Sequence, residues 1–350
     1  MKKILITGSS GLVGSEAVDF FYKKKFEIYA LDNDLRSRLF GKKYSTNKIL
    51  KFQKKKFTKI NFLNTNIINY KALQKIFKKR KFDLIIHTAG QPSHDWSAKN
   101  PLLDFKVNAL GTLNLLELTR KYCHQAVFIF TSTNKVYGDS PNYLDGIKEL
   151  PNRYEVFAKS KPFVINEKFS IDDSKHSPFG VSKTSGDLMV QEYGKYFKLK
   201  TGIFRCGCIT GPAHQGAQLH GFLSYLVKCI VSNKKYEIYG YKGKQVRDNI
   251  HSYDLVNMFW HFYKKPGYGE IYNAGGGREN SISILETIKL VNKLNKSNWS
   301  KFKLNQTPRL GDHIWYITDY KKFKKKYKGW SIKFDIKAII KQLIEVYKKK

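Results

Sequence analysis

An α/β fold built on a doubly wound parallel sheet, with helices on both faces, is what the sequence predicts. Three observations predict it. Short apolar runs alternate with helix-period segments from the first residues onward. The first run ends in a glycine-rich turn that opens a helix. The second ends in an aspartate, and no internal repeat or low-complexity linker interrupts the alternation.

The first strand is Lys3–Thr7, followed by Gly8-Ser9-Ser10-Gly11-Leu12-Val13-Gly14 and a helical pattern through Phe20 and Phe21. Such a strand–turn–helix brings backbone amides and the positive helix end to a pyrophosphate. Gly8 allows the tight turn, Gly11 lets a ligand approach the backbone, and Gly14 lets helix and strand pack closely. The second strand, 26–31, ends at Asp32, 18 residues beyond Gly14. A carboxylate there accepts from adenosine ribose hydroxyls and repels a 2′-phosphate, which favours NAD over NADP. Further strands are expected over 59–63, 83–87, 126–131 and 201–205, with one long helix over 101–121.

A chain of 350 residues, 41% hydrophobic, can bury a large core as one large domain or two intimate ones. No apolar run is long enough to span a bilayer. The start is too short and too quickly broken by glycine for a signal peptide, so a cytoplasmic location is expected. Cys206 and Cys208 form a lone Cys-Gly-Cys with no second pair at zinc spacing. Free thiols and no metal are therefore expected. The net charge of +36 raises nucleic acid as a partner, yet the lysines lie in short scattered runs such as 23–25, 54–56, 324–326 and 348–350. That pattern reads as a solvated basic surface rather than a nucleic-acid site.

Longer motifs occur in order: His87-Thr88-Ala89-Gly90, Asn108 before Gly111-Thr112, Ser132-Thr133-Asn134-Lys135-Val136-Tyr137-Gly138, and Arg247-Asp248-x-Ile250-His251-x-x-Asp254. With the glycine turn they resemble the extended short-chain dehydrogenases/reductases, the NAD-dependent epimerase/dehydratase family. The 132–139 stretch and Gly243-Lys244-Gln245-Val246-Arg247-Asp248 are similar in particular to CDP-paratose (CDP-tyvelose) 2-epimerases. The resemblance implies an NAD-binding Rossmann domain over 1–205. A smaller C-terminal α/β substrate domain would follow mainly over 206–350, with a segment near 270–275 returning to the sheet. It also implies a nucleotide-sugar substrate, homodimerisation through paired helices, and a lid in the insertion 143–175.

By the same resemblance, Ala89, Asn108, Ile67 and Lys183 join Gly8, Gly11, Gly14 and Asp32 around the cofactor. Asn66 stands where the family usually has an adenine-contacting Asp, and its carbonyl can still accept from an amino group. Thr133 would bond the reacting alcohol and the ketone formed from it; its plainer reading is a strand-end cap. Asn134 and Lys135 would border the substrate. Sugar-nucleotide 4,6-dehydratases carry Asp-Glu there, so Asn-Lys argues against loss of water. Lys244, Arg247 and Arg309 would grip the diphosphate, while Arg205 would organise a buried strand end. His251 and Asp254 read as structural, bonding the start of a helix. The loop 91–96 departs from the paratose epimerase pattern, which leaves the sugar open.

Phe179 and Lys183, four apart on a predicted helix, share a face. The family has a tyrosine at position 179, whose phenol takes the sugar hydroxyl proton with its pKa lowered by the lysine. Phe179 has no hydroxyl. It is an engineered Tyr→Phe change, or a natural variant served by another base, or the mark of a protein that binds without catalysis. Replacement bases in the sequence are Cys208, which would face the substrate by resemblance, Cys206, His214, His94, Asp95, His176 and Glu167.

The expected function is an NAD-dependent nucleotide-sugar epimerase that oxidises a sugar carbon transiently to a ketone and returns the hydrogen. The substrate class is a CDP-hexose with C2 as the centre, by resemblance. Two alternatives stand beside it: a net nucleotide-sugar dehydrogenase, and a silent sugar-nucleotide-binding protein.

Overall fold

The structure, a computed structural model, describes residues 1–159, 161–214, 221–309 and 311–349. Lys350, at the end of the 348–350 run noted above, and Leu310, which follows Arg309, lie outside the described residues. The chain divides into two compact units. The first comprises residues 1–136, 178–205 and 255–272, and the second 137–177, 206–254 and 273–350.

Seven strands form one sheet, which lies in the first unit but for the last residues of β6 and β7: β1 (Lys3–Thr7), β2 (Glu27–Leu31), β3 (Ile60–Leu63), β4 (Leu84–His87), β5 (Val127–Thr133), β6 (Lys200–Cys206) and β7 (Glu270–Ala274). Their order in the sheet is β7-β6-β5-β4-β1-β2-β3. β1 pairs in parallel with β2 and β4, β2 with β3, and β4 with β5. This is the doubly wound Rossmann arrangement. The inner strands are apolar on both faces because helices cover both: Ile4, Leu5, Ile6, Ile28, Leu84, Ile85, Ile86 and Phe128 to Phe130 are buried.

The winding direction reverses between β1 and β4. Thr7 lies opposite Leu31 on one side and His87 on the other, so all three strands end in register. Gly8, Asp32 and Thr88 therefore emerge together at the carboxyl edge, the crevice where such sheets take ligands.

The expected single helix over 101–121 is divided. Pro101–Phe105 is α-helical, Lys106–Leu110 forms a π-turn, and Gly111–Tyr122 resumes the α-helix. The bulge re-aims Asn108 into the protein, a common device beside functional sites.

In the second unit, Val246–His251 pairs in parallel with Cys208–Thr210 and Trp315–Tyr316, and antiparallel with Ser281–Ser283. Helices Phe222–Val231, Ile284–Asn295 and Ile336–Lys348 share a core that includes Leu226, Ile230, Val291, Ile340 and Leu343. Ser283 and Glu286 form a capping box that starts the second of these helices.

The 143–175 segment contains the antiparallel strands Ile147–Glu149, Tyr154–Ala158 and Lys161–Pro162. It is bonded into its own unit. Ile165 exchanges backbone bonds with Ile317 and Asp319 at 2.8 Å each, and Trp315 Nε1 donates to Glu155 at 3.0 Å. Asp254 lies in the first turn of the helix Ser252–Lys264. Its carboxylate accepts from the Lys333 and Phe334 amides at 3.0 and 3.1 Å, fastening a later loop, while His251 Nδ1 accepts from the Tyr253 amide.

All four cysteines are free. Among the described residues no helix is long and apolar enough to cross a membrane, and no His, Cys, Asp and Glu cluster could hold a metal.

Candidate active site

The glycine turn is shaped by what it lacks. A Cβ on Gly14 would lie 2.0 Å from the Gly8 carbonyl oxygen, and one on Gly8, at φ +68°, would lie 2.8 Å from the Ala89 nitrogen. Both positions need glycine for different reasons, contact in one case and backbone conformation as well in the other. Asp32 accepts the Ser10 amide at 2.9 Å and the Asp34 amide at 2.8 Å. Burial pushes its carboxyl above the usual range, and those two amides offset part of the rise.

The turn fits a dinucleotide. The hydroxyls of Ser9 and Ser10 and the Gln53 carbonyl oxygen are buried beside it without a hydrogen-bond partner. Gln53 Nε2 meanwhile donates to the Ser9 carbonyl at 2.9 Å. Unpaired buried acceptors and donors are costly unless something meets them. Ile67 lies against Gly111, where a Cβ would be 2.7 Å away, and its carbonyl accepts from Asn114 at 3.0 Å. Asn66 turns its side-chain oxygen onto the Ile68 amide at 3.2 Å.

Phe179 and Lys183 both lie on the helix Ser177–Lys195 and are both buried. Lys183 Nζ donates to the Thr131 carbonyl at 2.8 Å and sits 4.1 Å from the Phe130 ring centroid. Its charge adds to complete burial in holding His87 down to about 3, so that imidazole stays neutral between Thr7 and Thr112.

Between Phe179 and Lys183, Ser182 enters a buried polar network. Its hydroxyl lies 2.5 Å from Asp104 Oδ2, while Asp104 Oδ1 accepts from Gln91 at 2.6 Å and Asn108 at 3.2 Å. Burial raises the Asp104 carboxyl, and these bonds and Lys183 oppose the rise. Asn108 belongs to the same network. It is 1% exposed, its oxygen takes the Gln91 amide at 2.8 Å, and its nitrogen donates to Gln91, Asp104 and Ser182. It thereby ties the loop to the helix.

Two further ties set the end of β5 against the same helix. Ser132 donates to Asp187 at 2.6 Å, and Arg205 closes on that carboxylate with two 3.0 Å bonds. Thr133 is the last residue of β5, and its hydroxyl accepts the Lys135 amide at 3.2 Å. Asn134 is buried and Lys135 half-buried in the 3-10 turn that follows.

The proposed replacement bases separate clearly. The imidazole of His94 packs edge-on against the Phe179 ring, with centroids 4.8 Å apart. Asp95 follows it in the first turn of the helix His94–Lys99. The others belong to the second unit. Glu167 accepts the Asn273 amide at 2.7 Å and is raised by burial. His176 Nδ1 bonds the Ser174 carbonyl at 2.9 Å. Cys206 is buried, Cys208 begins a strand, and His214 packs under Gly221.

The cations assigned to a diphosphate also lie in the second unit, two of them within ion pairs. Lys244 bonds Glu149 at 2.7 Å. Arg247 is buried, pairs with Asp312 at 2.7 Å and donates to the Val246 and His313 carbonyls. Arg309 is half-buried, and its carbonyl accepts the Asp312 amide at 3.1 Å. Sequence reasoning missed Gln91 and Asp104. A polar residue in each of two otherwise unremarkable segments carries no periodic signal.

Residues 4–275 match the family model described as the NAD dependent epimerase/dehydratase family. The chain is 30% identical to CDP-paratose 2-epimerase of Salmonella typhi, over 98% of each chain. It is 27% identical to a dTDP-glucose 4,6-dehydratase of Escherichia coli, over 94% of this chain and 88% of that one. Its fold is also that of UDP-glucuronic acid 4-epimerase from Bacillus cereus, solved with UDP-glucuronic acid and NAD. That structure has a TM-score of 0.79 at 22% identity and covers 99% of both chains.

Proposed function

The chain belongs to the NAD dependent epimerase/dehydratase family, and from that premise we propose that it is a nucleotide-sugar epimerase working through a transient ketone. Its cofactor is NAD, for which Gly8, Gly11, Gly14, Asp32 and Lys183 are the holding residues. When bound, NAD supplies a two-electron acceptor for a sugar carbon and gives the same hydrogen back, so no net redox change results.

The observation that carries this reading is the pair that follows Thr133. Asn134 and Lys135 offer no carboxyl acid or base for expelling water, whereas the Thr133 hydroxyl can still bond an alcohol and the ketone made from it. Oxidation and return of hydrogen is then the chemistry left to the site. The full-length similarity to CDP-paratose 2-epimerase supports a CDP-hexose as substrate and C2 as the centre. Lys244, Arg247 and Arg309 are the second unit's phosphate-binding candidates. Glu149 and Asp312 are the carboxylates that two of them would exchange for phosphate oxygens.

Phe179 favours a second reading, a protein that binds a nucleotide sugar without turning it over. Incubation with NAD and CDP-, GDP-, UDP- and dTDP-sugars separates the two. A new epimer by NMR without accumulating NADH supports the epimerase. Accumulating NADH with a keto-sugar points to a dehydrogenase, and ligand-induced thermal stabilisation without product points to a binder.

A further inference from the structure

We infer that His94 is the proton acceptor of the reaction, taking over from the phenol that Phe179 lacks. The inference rests on the epimerase reading above, or equally on the oxidation half it shares with a dehydrogenase. Four observations carry it. The His94 ring touches the Phe179 ring at 4.8 Å between centroids, at an interplanar angle of 63°.

The backbone that carries the imidazole is also held in place. Ser93 caps the helix His94–Lys99 by accepting the Trp96 amide, and Ser97 donates to the His94 carbonyl at 2.6 Å. Ser93 is in turn gripped by Gln91, which accepts its amide at 2.5 Å and donates to its carbonyl at 2.8 Å. Gln91 and Ser182 both bond Asp104. One buried carboxylate thus fixes the loop that carries His94 and the helix that carries Phe179 and Lys183.

The chemistry matches. A phenol titrates near 10 and needs a neighbouring ammonium to act as a base at neutral pH, whereas an imidazole titrates near 6.5 and needs none. Of the other named bases, Glu167 accepts the Asn273 amide and His176 Nδ1 bonds the Ser174 carbonyl.

The step balances as follows. The sugar O–H bond breaks, its proton passes to the unprotonated imidazole nitrogen, and its electron pair forms the second C–O bond. Bound NAD would supply the acceptor for the carbon-bound hydrogen and its electron pair. Return of that hydrogen and of the imidazole proton regenerates an alcohol.

The test uses the full chain with NAD and the four classes of sugar nucleotide, as wild type, His94→Gln, Phe179→Tyr and the double variant. With an active wild type, His94→Gln should lower kcat by roughly 10²–10⁴-fold. CDP-glucose affinity by calorimetry should change by less than about threefold. Phe179→Tyr in the His94→Gln background should restore at least about tenfold and move the pH dependence upward, toward a phenol. In NMR, the imidazole resonance missing from His94→Gln should change its titration midpoint when NAD and CDP-glucose are added.

Turnover by His94→Gln within about threefold of wild type, or an unmoved imidazole resonance, overturns His94 and leaves the epimerase reading standing. A wild type inactive on all four classes whose Phe179→Tyr variant is active also overturns His94. Inactivity of both overturns the epimerase reading and the inference together.

Discussion

Ser182 Oγ and Asp104 Oδ2 lie 2.5 Å apart in the buried interior of the first unit, joining the helix Ser177–Lys195 to the turn of helix that precedes the π-turn. Asp104 is wholly buried and also receives Gln91 and Asn108. Replacing it by Asn puts a donor where donors already converge. Asp104→Asn should lose about 2–4 kcal/mol of stability in urea denaturation. A variant within about 0.5 kcal/mol of wild type would show that the network is dispensable.

Gly14→Ala tests the dinucleotide turn. Its Cβ would meet the Gly8 carbonyl at 2.0 Å, so the first helix must move away from β1. NAD binding should weaken by roughly tenfold or more, read by calorimetry. Unchanged affinity would mean that the turn does not hold the cofactor.

Arg205 and Asp187 form a buried ion pair with two 3.0 Å bonds. Truncating one partner strands the other's charge. Arg205→Met should therefore cost about 3–5 kcal/mol. Asp187→Leu in the same chain should recover part of that loss, and a strictly additive double variant would contradict the coupling.

Two buried groups oppose each other below neutral pH. Burial raises Asp248 to about 6 and is the main cause lowering His87 to about 3. For Asp248 the folded state binds more protons than the unfolded, so stability from this group increases as pH falls through about 6 toward 4. For His87 the unfolded state binds more protons, so stability is lost as pH falls from about 6.5 toward 3. Asp248→Asn removes the compensating half. Between pH 6 and 4 the variant should lose about 2 kcal/mol more than wild type does. Parallel denaturation profiles would refute the assignment.

The sheet was legible because buried parallel strands are written as nearly continuous apolar runs. The runs 83–87 and 126–131 correspond to Leu84–His87 and Val127–Thr133. The π-turn was not legible, since the apolar spacing of 101–121 continues across it. Asn108 within it bonds Gln91 and Ser182, which are not its neighbours in sequence. At the candidate site, the roles proposed for the glycines, Asp32 and Lys183 follow from local spacing. The His94–Phe179 contact does not, because it joins a loop after β4 to a helix 85 positions later. The same limit applies to the bonds of Asn108, which reach residues far away in sequence.

The outermost strand of the sheet, β7, has a temporal consequence. β6 runs over Lys200–Cys206, but its neighbour β7 is read from Glu270–Ala274. At synthesis rates of about 5–20 residues per second, roughly 3–13 s separate their emergence from the ribosome. During that interval the nascent sheet presents β6, with Ile203 and Phe204 in it, as an unguarded edge to any other growing chain. Chaperone demand in the cell should peak in that window and end when β7 docks.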